Sequence, residues 1–150
     1  MKILESQIRD LCCGHGVKII SPCNLYGCSL GDEVFVGPFV EIQDNVSIGA
    51  RTRIQSHSFI CSLVEIGEEC FIGHGVMFVN DLFEEGYPAK SNAGWRATKI
   101  GNRVSIGSNA TILPVSICDG VVIGAGSVVT KNINRSGIYA GNPARKIRDL

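Results

Sequence analysis

Every sixth residue from Leu30 onward is bulky and apolar: Leu30, Val36, Ile42, Ile48, Ile54, Ile60, Ile66, Ile72 and Phe78. Residues of that kind fill about three positions in ten, so a chance run of this length has a probability on the order of 10⁻⁵, and the chain is a repeat. A glycine follows the repeat residue at Gly31, Gly37, Gly49, Gly67 and Gly73. Four positions after it stand Val34, Val40, Val46, Thr52, Ser58, Val64, Cys70 and Val76, all small or β-branched. A helix would need an apolar residue every three or four positions, and a plain strand every two. A period of six suits a short extended segment followed by a corner. The bulky residue fills the interior of each side, the small one fits the corner, and the glycine permits a bend that a Cβ would obstruct. Three sides make a coil of about 18 residues, and coils stack as parallel strands about 4.8 Å apart. The expected fold is all-β, a triangular parallel β-helix, as one domain over residues 1–150.

The period lapses after Phe78, resumes at Ile100, Ile106 and Ile112, then slips by one residue to continue at Ile117, Ile123 and Val129. A similar slip precedes Leu30, where Ile19 and Leu25 are earlier rungs. Between the two blocks lies a polar loop, about 80–98, too long for a simple corner; structureless segments of that length are commonly functional. Short terminal helices are expected over residues 5–12 and from Pro143, a residue suited to a first helical turn.

Lysine plus arginine balance aspartate plus glutamate at 14 each. Bulk charge therefore gives no reason to expect nucleic acid or an anionic membrane as partner. The first residues lack the apolar core of a signal peptide and nothing later reaches the length of a membrane span, so a cytoplasmic location is expected. The cysteines, at 12, 13, 23, 28, 61, 70 and 118, form no zinc-type pair and read as reduced thiols, most of them packing residues.

With coils of this length, Ile54 and Ile72 stack, which places His57 and His74 on neighbouring coils near one corner. Imidazoles titrate near neutrality and suit proton transfer. The competing reading is a pair of corner residues satisfied by backbone carbonyls. His15, outside the regular repeat, reads as structural or exposed. Asn80 and Asp81 end the apolar run where the loop departs, and both favour turns. In the loop, Lys90 and Arg96, with Tyr87 and Trp95, offer charge and stacking for a substrate. Lys131, just beyond the last complete coil, offers a charge for phosphate.

The segments FIGHGVMFVND, IGNRVSIGSNATILPVSI, VVIGAGSVVTK and YAGNPAR resemble the hexapeptide-repeat acyltransferases, and most closely their branch that acetylates nucleotide-linked 3-amino sugars for surface polysaccharide. The resemblance spans about residues 19–148. It implies a left-handed β-helix, a homotrimer with sites between subunits, and acetyl-CoA lying along the groove between two of them. The implied acceptor is an amino sugar on a dTDP or UDP carrier, and no metal is implied. Carried over residue by residue, it places Asn80 beside the acceptor amine, with Asp81 next to it. Asn142, Pro143 and Arg145 fall at the nucleotide end of the coenzyme, with backbone N–H contacts around Ser108 and Ala125. His57 and His74 then stand at the acceptor end as candidate bases. Two departures stand out: several relatives carry an acidic residue where this chain has Ser62, and some have proline where it has His74. Rival readings are an O-acetyltransferase acting on a sugar or serine hydroxyl, a γ-carbonic-anhydrase-like zinc enzyme needing three converging histidines, and a non-catalytic scaffold.

Overall fold

The structure is a computed structural model that describes residues 8–150. It is a left-handed parallel β-solenoid of about seven turns, so the six-residue period does encode three walls. The first wall stacks β1 (Cys12–Cys13), β4 (Ser29–Leu30), β7 (Ser47–Ile48), β10 (Val64–Ile66), β13 (Thr98–Ile100) and β16 (Ser116–Ile117). The second stacks β2 (Lys18–Ile19), β5 (Phe35–Val36), β8 (Arg53–Ile54), β11 (Phe71–Ile72), β14 (Ser105–Ile106), β17 (Val121–Ile123) and β19 (Gly137–Ala140), with β20 (Arg145–Arg148) beside the last. The third stacks β3 (Asn24–Leu25), β6 (Glu41–Ile42), β9 (Phe59–Ile60), β12 (Met77–Phe78), β15 (Thr111–Ile112) and β18 (Val128–Val129).

Register keeps like on like. Val36, Ile54, Ile72, Ile106 and Ile123 form one column, paired step by step, and each is fully or almost fully buried. Small corner residues close the prism, and where they are polar they are bonded. Thr52 Oγ1 donates to the Gly67 carbonyl at 2.8 Å and accepts the Cys70 N–H at 3.0 Å. Ser58 Oγ donates to the Gly73 carbonyl at 2.9 Å. A buried hydroxyl thus costs little here, because it replaces a ladder contact that the corner cannot make.

Most corners turn through a residue in the left-handed region, with φ between 54° and 63° at Glu33, Phe39, Asn45, Arg51, His57, Glu69, Arg103 and Asn109. The positive φ of His57 is therefore a property of its corner, shared by residues of every chemical kind. Gly75 takes the same place one coil above His57, at φ 67°.

Both slips and the loop occur at the edge between the third and first walls. From Leu25 to Leu30 and from Ile112 to Ile117 the corner is one residue shorter, turning at Gly27 in the first case and holding Pro114 in the second. From Phe78 the chain leaves altogether and returns at Thr98. The other two edges keep the regular corner over the same span.

The helix expected from Pro143 does not form. Gly141–Ala144 is a turn, and β20 pairs antiparallel with β19. A helix of so few residues is marginal in isolation. The last coil, by contrast, presents a row of open backbone groups that a returning strand satisfies. The N-terminal helix is also absent where it can be judged: Arg9 bridges Tyr26 and Cys12 begins β1, while residues 5–7 lie outside the described part. One short 3₁₀ turn, Asn92–Gly94, sits in the loop. Among the described residues no helix is long and apolar enough to cross a membrane.

Cys28, Cys61 and Cys70 are buried in the core, while Cys23 and Cys118 pack against it; Cys12 and Cys13 are exposed. Burial pushes the Cys28 and Cys61 thiols up to about 11 and raises Cys70 as well, which marks them as packing residues rather than nucleophiles.

Candidate active site

The residues singled out from the sequence fall on two edges of the prism, with the third wall between them. The histidine edge, between the second and third walls, carries His57 and His74. Its coils are tied through the turn residues: the Gly75 N–H donates to the Ser56 carbonyl at 3.0 Å, Asn109 N–H to His74 at 2.8 Å, and Gly126 N–H to Ser108 at 2.9 Å. Ser56, His74, Ser108 and Ala125 thus form one column, and His57, Gly75, Asn109 and Gly126 the next. His57 and His74 are diagonal neighbours on adjacent coils, both exposed. No hydrogen bond joins them among the described residues. The ring of His57 instead stacks on Phe39 of the preceding coil, with centroids 4.9 Å apart and planes 14° from parallel.

Ser108 and Ala125 lie on this same edge. Their backbone N–H groups make no hydrogen bond to other described residues, and Pro38, which has no N–H at all, occupies the same position two coils below His74. The position needs no internal donor, so these N–H groups remain free to bind a ligand. The edge ends at the Gly141–Ala144 turn, which is tied to the third wall: Val128 N–H donates to Gly141 at 3.0 Å and Ala144 N–H to Val128 at 2.8 Å. Ser127 Oγ also accepts the Gly141 N–H at 3.1 Å. Asn142, Pro143 and Arg145 therefore sit at the C-terminal end of the histidine edge. From His57 to this turn is four coil steps, about 19 Å at the usual strand spacing.

The loop edge, between the third and first walls, carries the rest. Asn80 is half-buried; its Nδ2 donates to the Ser62 carbonyl at 3.3 Å and its own carbonyl accepts the Arg96 N–H at 2.8 Å. Asp81 spends both carboxylate oxygens on the loop backbone, accepting from Phe83 N–H at 2.9 Å and Ala89 N–H at 2.8 Å. Arg96 reaches across the loop to both oxygens of Glu84 at 3.0 Å. Lys90 Nζ lies 5.6 Å from the centre of the Tyr87 ring, and the Tyr87 hydroxyl donates to Glu85, whose carboxylate raises the phenol's pKa. Asp81, Glu84, Glu85, Tyr87 and Lys90 line a cavity of about 270 Å³ within the loop, to which Asn80 and Arg96 do not contribute. Lys131 is exposed at the loop edge, beyond β18. Ser62 Oγ donates to the carboxylate of Asp44 one coil below, which brings an acid beside this position.

His15 lies on the third edge, where its N–H donates to Asp32 at 2.7 Å, well away from the other two histidines. Among the described residues no three His, Cys, Asp or Glu side chains converge as metal ligands.

Two stretches match known families: residues 27–62 match the bacterial transferase hexapeptide (six repeats), and residues 97–131 match the hexapeptide repeat of succinyl-transferase. The bifunctional protein GlmU of Acinetobacter baylyi is 37% identical over 108 residues, 71% of this chain and 21% of that protein. GlmU of Streptococcus uberis is 32% identical over 149 residues, 98% of this chain and 30% of that protein. The chain thus spans less than a third of the curated relatives it matches. Among solved structures, a variant of AntD, an N-acyltransferase from Bacillus cereus in complex with dTDP and coenzyme A, superposes with a TM-score of 0.80 at 25% identity, covering 91% of this chain and 82% of that one. A variant of perosamine N-acetyltransferase from Caulobacter crescentus, in complex with CoA and GDP-perosamine, shares the fold at TM-score 0.67 and 21% identity, covering 96% and 58%. The chain belongs to the hexapeptide-repeat family, wound as a β-helix, in which these transferases also fall.

Proposed function

We propose that this protein is an acetyl-CoA-dependent N-acetyltransferase whose acceptor is the amino group of a dTDP- or UDP-linked 3-amino-deoxy sugar. It would act as a cytoplasmic homotrimer in surface-polysaccharide synthesis. The observation that carries the reading is the composition of the histidine edge: imidazoles at one end, unpaired N–H groups at Ser108 and Ala125 along it, and a turn followed by Arg145 at the other. An extended thioester cofactor needs donors for its amide carbonyls along its length and cations for its phosphates at the end. Arg135, Lys146 and Arg148, with Lys131 around the corner, add positive charge at that end. The likeness to AntD, whose structure holds dTDP and coenzyme A, supports the same pairing of substrates.

The chemistry needs no covalent enzyme intermediate. The neutral amine attacks the thioester carbonyl and a tetrahedral oxyanion forms. The intermediate collapses to an amide as the coenzyme thiolate leaves, and the nitrogen gives up one proton. His74, exposed and one coil nearer the coenzyme donors than His57, takes that proton and returns it to the thiolate; His57 stands beside it at the acceptor end. Asn80 orients the amine through its side-chain amide, with Asp81, Lys90 and Arg96 of the loop around the sugar. The two edges belong to one site in a trimer, where one subunit's histidine edge faces its neighbour's loop edge. Exposed apolar side chains support that assembly. Phe71 and Met77, 40% and 41% exposed, flank the histidine edge, whereas the first wall shows Ser29, Ser47, Glu65, Lys99 and Ser116 to solvent.

The test is a screen of nucleotide-linked amino sugars with acetyl-CoA, reading released thiol. The proposal requires thiol release that depends on an amino sugar, with a base-stable amide as product. A base-labile ester would mean a hydroxyl acceptor, and no thiol release with any amino sugar would defeat the reading.

A further inference from the structure

We infer that Phe39 and His57 form an aromatic platform that takes the nucleobase of the acceptor, with Asn109 as its polar neighbour; this rests on the nucleotide-sugar reading above. Phe39 is 57% exposed, a large apolar ring held out in water on a corner of the prism. Both Phe39 and His57 occupy left-handed corner positions, φ 60° and 63°; the rest of their own column holds Gly75, Asn109 and Gly126, while corners on another edge carry Glu33, Arg51, Glu69 and Arg103 in the same conformation. Bulky residues pay for that backbone more than asparagine or glycine does. Two rings have been placed where small residues suffice for the turn, and they are stacked on one another.

The next position in the column is Gly75, so no side chain of the adjacent coil stands over His57, which is exposed. A Cβ on residue 75 would collide with the Asn109 carboxamide, which leans into the space over that glycine from the following coil. That carboxamide makes no hydrogen bond to another described residue. A planar heterocycle laid on His57 would therefore meet a ring below and an amide above, and an amide matches the alternating donors and acceptors of a pyrimidine edge. Aromatic stacking of a base tolerates different bases, while the amide selects among them. The adenine of the coenzyme is the other available base, but the basic turn that fits its phosphates lies about 19 Å away along the edge.

The experiment titrates UDP and dTDP, each alone, into the full-length protein by calorimetry, with acetyl-CoA as the parallel ligand. Phe39→Leu keeps an apolar side chain but removes the ring. It is expected to weaken nucleotide binding about tenfold and leave acetyl-CoA binding unchanged. Phe39→Trp restores nucleotide affinity, and Asn109→Ala shifts the preference between the two diphosphates and their purine counterpart GDP. Nucleotide affinity unaltered in Phe39→Leu, or a Phe39→Leu protein that falls apart to monomers in sedimentation, overturns the platform. If wild-type protein binds nucleotide through Phe39 yet acetylates no amino sugar, the platform stands and the proposed reaction falls. If it acetylates amino sugars with Phe39→Leu unimpaired in nucleotide binding, the reverse holds.

Discussion

The carbonyl of Asn80 accepts the N–H of Arg96 at 2.8 Å while the Asn80 side chain donates to Ser62 one coil below. One residue thus closes the mouth of the loop and fixes it to the prism. Any group that Asn80 presents to a substrate is held by the same contacts that shape the loop.

Asn80→Ala is expected to lower turnover roughly a hundredfold, as misplacement of a reacting group by about an ångström does. Acetyl-CoA affinity should remain near that of wild type, because the proposed coenzyme donors, Ser108 and Ala125, lie on the other edge. Steady-state kinetics with calorimetry of the coenzyme checks both. The lost hydrogen bond alone costs about 1 kcal/mol of stability.

Ala125→Pro removes a backbone N–H that bonds to no other described residue, at a position where Pro38 shows the backbone accepts proline. The fold should therefore survive while acetyl-CoA binding weakens about tenfold, the worth of one hydrogen bond in a bound complex. Equal coenzyme affinity in the variant would remove this N–H from the binding groove.

The corner hydroxyls carry stability out of proportion to their size. Thr52→Val leaves the Cys70 N–H without its acceptor and the Gly67 carbonyl without its donor, at a cost of about 1–3 kcal/mol. Ile54→Ala, in the middle of a fully buried column, should cost about 2–5 kcal/mol. Urea midpoints measure both.

Burial gives the molecule an alkaline limit. Cys28 and Cys61 have thiols pushed up to about 11 from 9.0, so the folded state holds the proton more tightly than the unfolded one. Their contribution is complete below pH 9 and is lost as pH rises through about 11. Wild-type protein should lose stability over that window more steeply than the Cys28→Ala, Cys61→Ala double variant, in chemical denaturation followed against pH. A thiol reagent at neutral pH should modify Cys12 and Cys13 while sparing Cys28, Cys61 and Cys70 until the protein unfolds.

The repeat made the walls, the core columns and the departure of the loop at Asn80 legible, because each depends on spacing alone. The C-terminal segment reads as helical from sequence because Pro143 and its neighbours satisfy local helix signals. What decides that segment is the open edge of β19, a partner supplied by the fold. The Phe39–His57 stack was legible in principle, since the two residues stand one coil apart and share a corner. No sequence signal marks it, because Phe39 fits neither the core phase nor a catalytic role. That His57 leans toward Phe39 rather than His74 rests on side-chain direction at a corner, which no period encodes.

Diffraction from crystals grown with coenzyme A tests the account most directly. The account predicts the pantetheine arm along the histidine edge, bonded to the N–H groups of Ser108 and Ala125, with the thiol toward His74 and the phosphates by Asn142 and Arg145. Coenzyme bound along a different edge, or pointing its thiol at the C-terminal turn, would contradict it.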